Sequence, residues 1–161
     1  MKVLIVDDHA LFRVGLQGLL ERRGIEIAAV AGEGEEGVRL ASELRPEVIL
    51  LDLRMPETGG LEVLRRINEQ GLEIPVVMLT TSSDEDDLAE SLRNGARGYL
   101  LKDMEPDELV VALQEIVAGK MVVAPGLTGV LADLVRHGDR RERKDELEPF
   151  CSLTPREREV L

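Results

Sequence analysis

Three carboxylates, two hydroxyls and a lysine stand directly after short apolar runs. Asp7 and Asp8 follow KVLIV (2–6), Asp52 follows EVILL (47–51), Thr80 and Thr81 follow PVVML (75–79), and Lys102 follows GYLL (98–101). Each alone is ordinary, because Asp caps helices, Thr favours strand ends and Lys is normally solvated. Together they make a chemical demand: carboxylates brought to adjacent strand ends repel one another and resist ionisation unless a cation joins them. A divalent metal resolves that conflict. Mg²⁺ prefers octahedral oxygen coordination from one or two carboxylates, waters and a phosphate oxygen. A lysine and a hydroxyl on neighbouring strands would hold the remaining phosphoryl oxygens. The set reads as a site for a phosphoryl group.

Such convergence needs a particular scaffold. The apolar runs, with IEIAAV (25–30) as a further one, alternate with stretches whose apolar residues lie three and four apart, such as LQGLL, LEVLRRI and ELVVALQEIV. Strands of this length separated by helices predict right-handed βαβ units and a parallel sheet covered on both faces, with ligands beyond the carboxyl ends of the strands. Five strands and five helices fit residues 1–119. Local punctuation agrees: Ser83 and Asp86 have the spacing of a capping box, Pro106 with Asp107 and Glu108 suits a first helical turn, and Pro46 closes the second helix.

With 161 residues, 43% of them hydrophobic, the chain predicts one main core and an appendage, and it has no apolar run near the ~18 residues of a membrane span. The start MKVLIVDDH has no basic leader with a long apolar stretch, and Cys151 is the single cysteine, so a cytoplasmic protein without disulfides is expected. A net charge of −12 argues against these residues gripping nucleic acid by themselves. The acid is uneven: residues 1–121 carry 24 Asp and Glu against 13 Lys and Arg, and residues 122–161 carry 8 against 7. Past that shift, Leu127, Val130, Leu131, Leu134 and Val135 predict a short amphipathic helix, and GDRRERKDELE (138–148) a solvated linker.

The motifs taken together resemble a known family. Asp7 and Asp8, the DLRMP run with Gly60 (52–60), Thr80, Tyr99 and Lys102 match, in order and spacing, the receiver domain of two-component response regulators over residues 2 to about 120. The resemblance implies an α/β, flavodoxin-like, doubly wound sheet of five parallel strands in the order 2-1-3-4-5, followed by a C-terminal helical linker. It implies that Asp52 is the phosphoacceptor for a sensor histidine kinase, and that Asp8, Asp52 and the Arg54 main-chain carbonyl hold Mg²⁺, with Asp7 acting largely through water. Lys102 would pair with the carboxylate or phosphoryl oxygens, Thr80 would swing to the phosphoryl group and Tyr99 would follow inward. The protein would be a phosphoacceptor switch and no turnover enzyme, forming a phosphorylation-dependent homodimer.

LTPREREVL (153–161) resembles the opening of a LuxR-type helix-turn-helix domain, which points to the NarL/FixJ group of regulators. The expected organisation is a receiver at 1–121, a linker at 122–150 and the start of a truncated output domain at 151–161. DNA would be reached only through that output domain, and no residue present here is assigned to it. Two departures from the pattern stand out: Asp103 occupies the place where many receivers have proline, and Thr58, Gly59 and Gly60 stand in place of the frequent Met-Asp-Gly, keeping the final glycine and losing the acid.

Competing readings are weaker. GEGEEG (32–37) satisfies G-x-G-x-x-G, yet it follows the second strand and would set Glu33, Glu35 and Glu36 against a pyrophosphate. Haloacid-dehalogenase-like phosphohydrolases carry a second Asp two residues after the nucleophile, and here that position is Arg54. His9, beside the acid pair, is read as a pocket-rim or helix-start residue, and Cys151 as a free thiol.

Overall fold

The structure, a computed structural model, describes residues 1–55, 58–81 and 85–124. Elements alternate throughout: β1 (Lys2–Val6), α1 (Ala10–Arg22), β2 (Glu26–Ala31), α2 (Gly34–Leu44), β3 (Val48–Asp52), α3 (Gly60–Glu69), β4 (Val76–Thr80), α4 (Glu85–Arg93), β5 (Gly98–Leu101), α5 (Pro106–Val117) and a short β6 (Val122–Val123). The sheet is parallel with the order β2-β1-β3-β4-β5-β6. Its order reverses between β1 and β3, the place where an open parallel sheet leaves a crevice for ligands.

The burial pattern explains why the strand sequences look as they do. Every residue of β3 and β4 is buried, as are Val3, Leu4, Ile5 and Val6 in β1. Helices on both faces remove the polar alternation that a half-exposed sheet would show. On one face Val3, Ile5, Leu50, Val77, Leu79 and Leu100 pack with Leu16 and Leu20 of α1 and Leu109, Leu113 and Ile116 of α5.

The flavodoxin-like expectation holds, with one addition. The sheet has a sixth strand where the sequence predicts linker: Val122 donates its N–H to the Arg97 carbonyl and Ala124 to that of Tyr99, both within 3.1 Å. Two residues carry no readable period, which is why the strand is invisible in the sequence. The strands β2, β3 and β4 each run one residue further than their apolar runs suggest, so Asp52 and Thr80 are the last residues of strands. Pro106 opens α5 as expected, but the capping box there is Glu105 with Glu108. The expected cap at Ser83, the 127–135 helix, Cys151 and the 153–161 segment lie outside the described residues.

The glycines of GEGEEG have packing roles. A Cβ on Gly32 would lie 2.7 Å from the Arg13 guanidinium, one on Gly34 2.8 Å from Thr58 and Val63, and one on Gly37 2.8 Å from Val6. Gly34 and Gly37 let α2 lie close on α3 and β1, and that close approach is reason enough for glycine at both, whereas Gly32 meets only the end of the Arg13 side chain.

Candidate functional site

The carboxyl ends of β1, β3, β4 and β5 lie side by side, and they bring Asp7, Asp8, Asp52, Thr80 and Lys102 to one end of the sheet. Asp7, Asp52 and Thr80 are buried, with at most 5% of their surface exposed. Oxygen or nitrogen atoms of Asp7, Asp8, His9 and Asp52 lie within 4.8 Å of one another, close enough to share an ion.

Lys102 supplies the cation on the other side of the pocket. Its Nζ is 3.0 Å from Asp7 Oδ2 and 3.4 Å from Asp52 Oδ1, and its side chain is 11% exposed. The backbone sets this reach: the Lys102 N–H donates to the Thr80 carbonyl at 2.8 Å, locking the end of β5 to the end of β4.

Asp7 is almost fully engaged by protein. Its Oδ1 accepts the His9 N–H at 2.8 Å, its Oδ2 faces Lys102, and its carbonyl accepts the Arg13 guanidinium at 2.6 Å. Two other oxygens are not engaged: Asp8 Oδ1 and Asp52 Oδ2 are buried without a hydrogen bond among the described residues. The His9 imidazole lies 3.4 Å from Asp8 Oδ1, but its side chain is 70% exposed. A buried carboxylate oxygen without a donor carries a desolvation cost that a cation would remove. The donor set is all oxygen at its core and therefore suits a hard divalent ion.

The same burial shifts the acceptor. Desolvation, reinforced by the neighbouring Asp7 carboxylate, pushes Asp52 up to about 6, while Lys102 and the Arg54 backbone N–H pull the other way. The carboxylate is thereby made more basic than an ordinary aspartate and remains mostly ionised at neutral pH.

The loop after β3 is held by a glycine. The Gly60 N–H donates to the Leu53 carbonyl at 2.9 Å, and a Cβ at Gly60 would collide with the Asp52 carbonyl oxygen and lie 2.8 Å from Leu53 Cα. The Arg54 side chain leaves the pocket and meets Asp87 of α4 at 2.6 Å. Tyr99 is fully buried, so the ring already occupies an inward position in this state.

Sequence reading missed three contacts here: the Arg13 bond to Asp7, the His9 N–H bond and the position of Phe12, whose ring centroid is 4.5 Å from Lys102 Nζ. The His9 bond is local to the turn that enters α1, and the other two come from the first turn of α1 lying against the ends of β1 and β5 at Asp7 and Lys102. An FR pair at the start of an amphipathic helix is the only local signal, and it does not specify a target.

Comparisons with known proteins converge. Residues 3–114 match the response regulator receiver domain. Over 160 residues, 99% of this chain and 72% of the relative, the sequence is 41% identical to the nitrate/nitrite response regulator protein NarL of Escherichia coli. A two-component response regulator of the LuxR family from Aurantimonas superposes with a TM-score of 0.77 at 32% identity, covering 82% of this chain and 95% of that one. The Vibrio cholerae chemotaxis protein CheY4 superposes with a TM-score of 0.67 at 32% identity, covering 71% and 97%.

Proposed function

The chain belongs to the NarL type of two-component response regulators, with a receiver domain at its core, and from that premise we propose that Asp52 accepts a phosphoryl group from a sensor histidine kinase. The observation that carries this reading is the pair of buried carboxylate oxygens without a hydrogen bond among the described residues, Asp8 Oδ1 and Asp52 Oδ2, set in one pocket with the Lys102 ammonium. Mg²⁺ fits the gap: Asp8, Asp52 and the Arg54 main-chain carbonyl would hold it, and Asp7, already engaged, would act through water. The ion supplies charge neutralisation between donor and acceptor when bound.

The chain's own residues do the rest. A carboxylate oxygen of Asp52 attacks phosphorus as the phosphorus–nitrogen bond of a phosphohistidine breaks; the histidine leaves with a proton and Asp52 becomes an acyl phosphate. Lys102 neutralises the charge that collects on the transferred oxygens. Thr80, on the adjacent strand end, would hydrogen-bond the new group. The resulting change is a population shift, limited by the difference in contacts between the two states. Because Tyr99 is already inward, we infer that the phosphoryl group stabilises a ring position the unmodified chain already adopts.

We read the protein as a switch and not as a turnover enzyme. Aspartyl phosphohydrolases need an acid/base two residues beyond the nucleophile, and Arg54 occupies that place with its side chain drawn to Asp87. The kinase is expected to meet the pocket beside α1, phosphorylation to promote a homodimer, and DNA to be bound by a LuxR-type output domain, in the cytoplasm. Among the described residues no helix is long and apolar enough to cross a membrane.

Intact mass after incubation with Mg²⁺ and acetyl phosphate tests the assignment. One added phosphoryl group is expected, absent with chelator and absent in Asp52→Asn. Wild-type labelling of that variant would move the acceptor elsewhere. Steady hydrolysis of a generic phosphate ester would instead favour the enzyme reading.

A further inference from the structure

We propose that Phe12 is a positioning residue for Lys102, holding the ammonium between Asp7 and Asp52 by a cation–π contact. The inference rests on the reading of Asp52 as phosphoacceptor. Its own basis is geometric. The Lys102 Nζ has carboxylate oxygens at 3.0 and 3.4 Å, and the Phe12 ring centroid lies 4.5 Å away.

A lysine head is a compact ion on a stem of four rotatable carbons, so two carboxylates alone leave it free to slide between partners or turn to water. The negative face of an aromatic ring closes that freedom without competing for the protons that the carboxylates need. Lys102 is 11% exposed, and a cation–π contact gains strength as water is removed. Phe12 is suited to this place because it is anchored elsewhere: it packs against the core cluster that includes Leu16 and Leu20. The next residue, Arg13, grips the Asp7 carbonyl at 2.6 Å. One turn of α1 thus braces both the cation and the acid that faces it. When phosphoryl oxygens arrive at Asp52, the ammonium is already aimed and little reorganisation is required.

A purely structural role for Phe12 makes a different prediction, since an apolar side chain of similar size would serve as well. The experiment compares acetyl phosphate labelling rates of wild type, Phe12→Leu, Lys102→Ala and the double variant in the full chain with Mg²⁺. If Phe12 acts through Lys102, Phe12→Leu slows labelling by roughly threefold or more in the wild-type background and has no effect once Lys102 is gone. Fluorinated phenylalanines at position 12, which keep the shape and weaken the ring face, should slow labelling in proportion to fluorine count. A second readout does not depend on phosphotransfer: solvent exchange of the Lys102 ammonium protons, followed by NMR in the unmodified protein, should accelerate in Phe12→Leu and along the fluorinated series. Equal slowing by Phe12→Leu with and without Lys102, or flat rates and flat exchange across the fluorinated series, overturns the proposal. If wild type takes no phosphoryl group at all, the reading of Asp52 falls, and ammonium exchange alone decides the place of Phe12.

Discussion

The middles and the carboxyl ends of the central strands are built to opposite rules. Through their middles, β1, β3 and β4 bury Ile5, Leu50 and Val77 at 1% exposure or less, and their backbone groups are paired across the sheet. At their carboxyl ends lie Asp7 (directly after β1), Asp52 and Thr80, equally buried but charged or polar, with Asp52 Oδ2 lacking a hydrogen bond among the described residues. The middle is consistent at every level, and the end is frustrated by design of its chemistry. Substitution should therefore stabilise one region and damage the other. The middle supplies the rigidity that keeps like charges together.

The largest contrast is expected at Leu50. Leu50→Ala leaves a cavity in a closely packed core and should cost about 4 kcal/mol in chemical denaturation. A cost under about 1 kcal/mol would mean the core there collapses onto the gap, and the division between rigid middle and strained end would lose its basis. Next in size is Gly60, which stands where the two regions join. A Cβ there meets backbone on one side and Met78 Cε at 3.0 Å on the other. Gly60→Ala should cost at least about 3 kcal/mol, because backbone atoms cannot turn aside as a side chain can. It should also displace Asp52, so labelling by acetyl phosphate should fall even at temperatures where the variant is folded.

These same residues show what was legible in sequence. The middle of the sheet was readable because parallel strands covered on both faces are continuously apolar, and the pocket was readable because its residues sit where those runs end. The pairing of Lys102 with Asp7 as well as Asp52 was only partly readable, since spacing gives the strand end and not the direction of a long side chain. Phe12 and Arg13 were not readable at all: both belong to the apolar and charged pattern of an ordinary helix, and their targets depend on how α1 lies over the sheet. The β6 strand was too short to declare itself. Its partner carbonyls on Arg97 and Tyr99 exist only once β5 is in place.

A smaller effect concerns pH. The Asp52 carboxyl is raised from 3.8 to about 6 in the folded protein, chiefly by burial and then by Asp7. The folded state thus binds this proton more tightly than the unfolded chain does. Its contribution to stability is fully present below about pH 4 and is lost as pH rises through about 6. In metal-free protein the loss should be on the order of 2 to 3 kcal/mol across that window. Asp52→Asn should flatten the curve and be more stable than wild type at pH 7 in chelator. Parallel curves for the two proteins would show that the pocket carries no such strain.

The smallest effect separates a pocket cation from a surface one. Arg23, at the end of α1, pairs with Asp107 in the first turn of α5, with side chains 40% and 82% exposed. The charges have the same signs as Lys102 and its carboxylates, yet water surrounds them, and fixing two mobile side chains offsets most of their attraction. Asp107→Asn should cost below about 1 kcal/mol, and the difference from wild type should shrink further in molar salt, where screening acts within a few ångströms. Lys102→Met should behave otherwise. Removing that ammonium leaves Asp7 and Asp52, both nearly buried, facing each other where little water screens them, so added monovalent salt should recover little of the loss. If salt erased both effects equally, the carboxyl end of the sheet would be as wet as the surface, and burial could not be what raises Asp52.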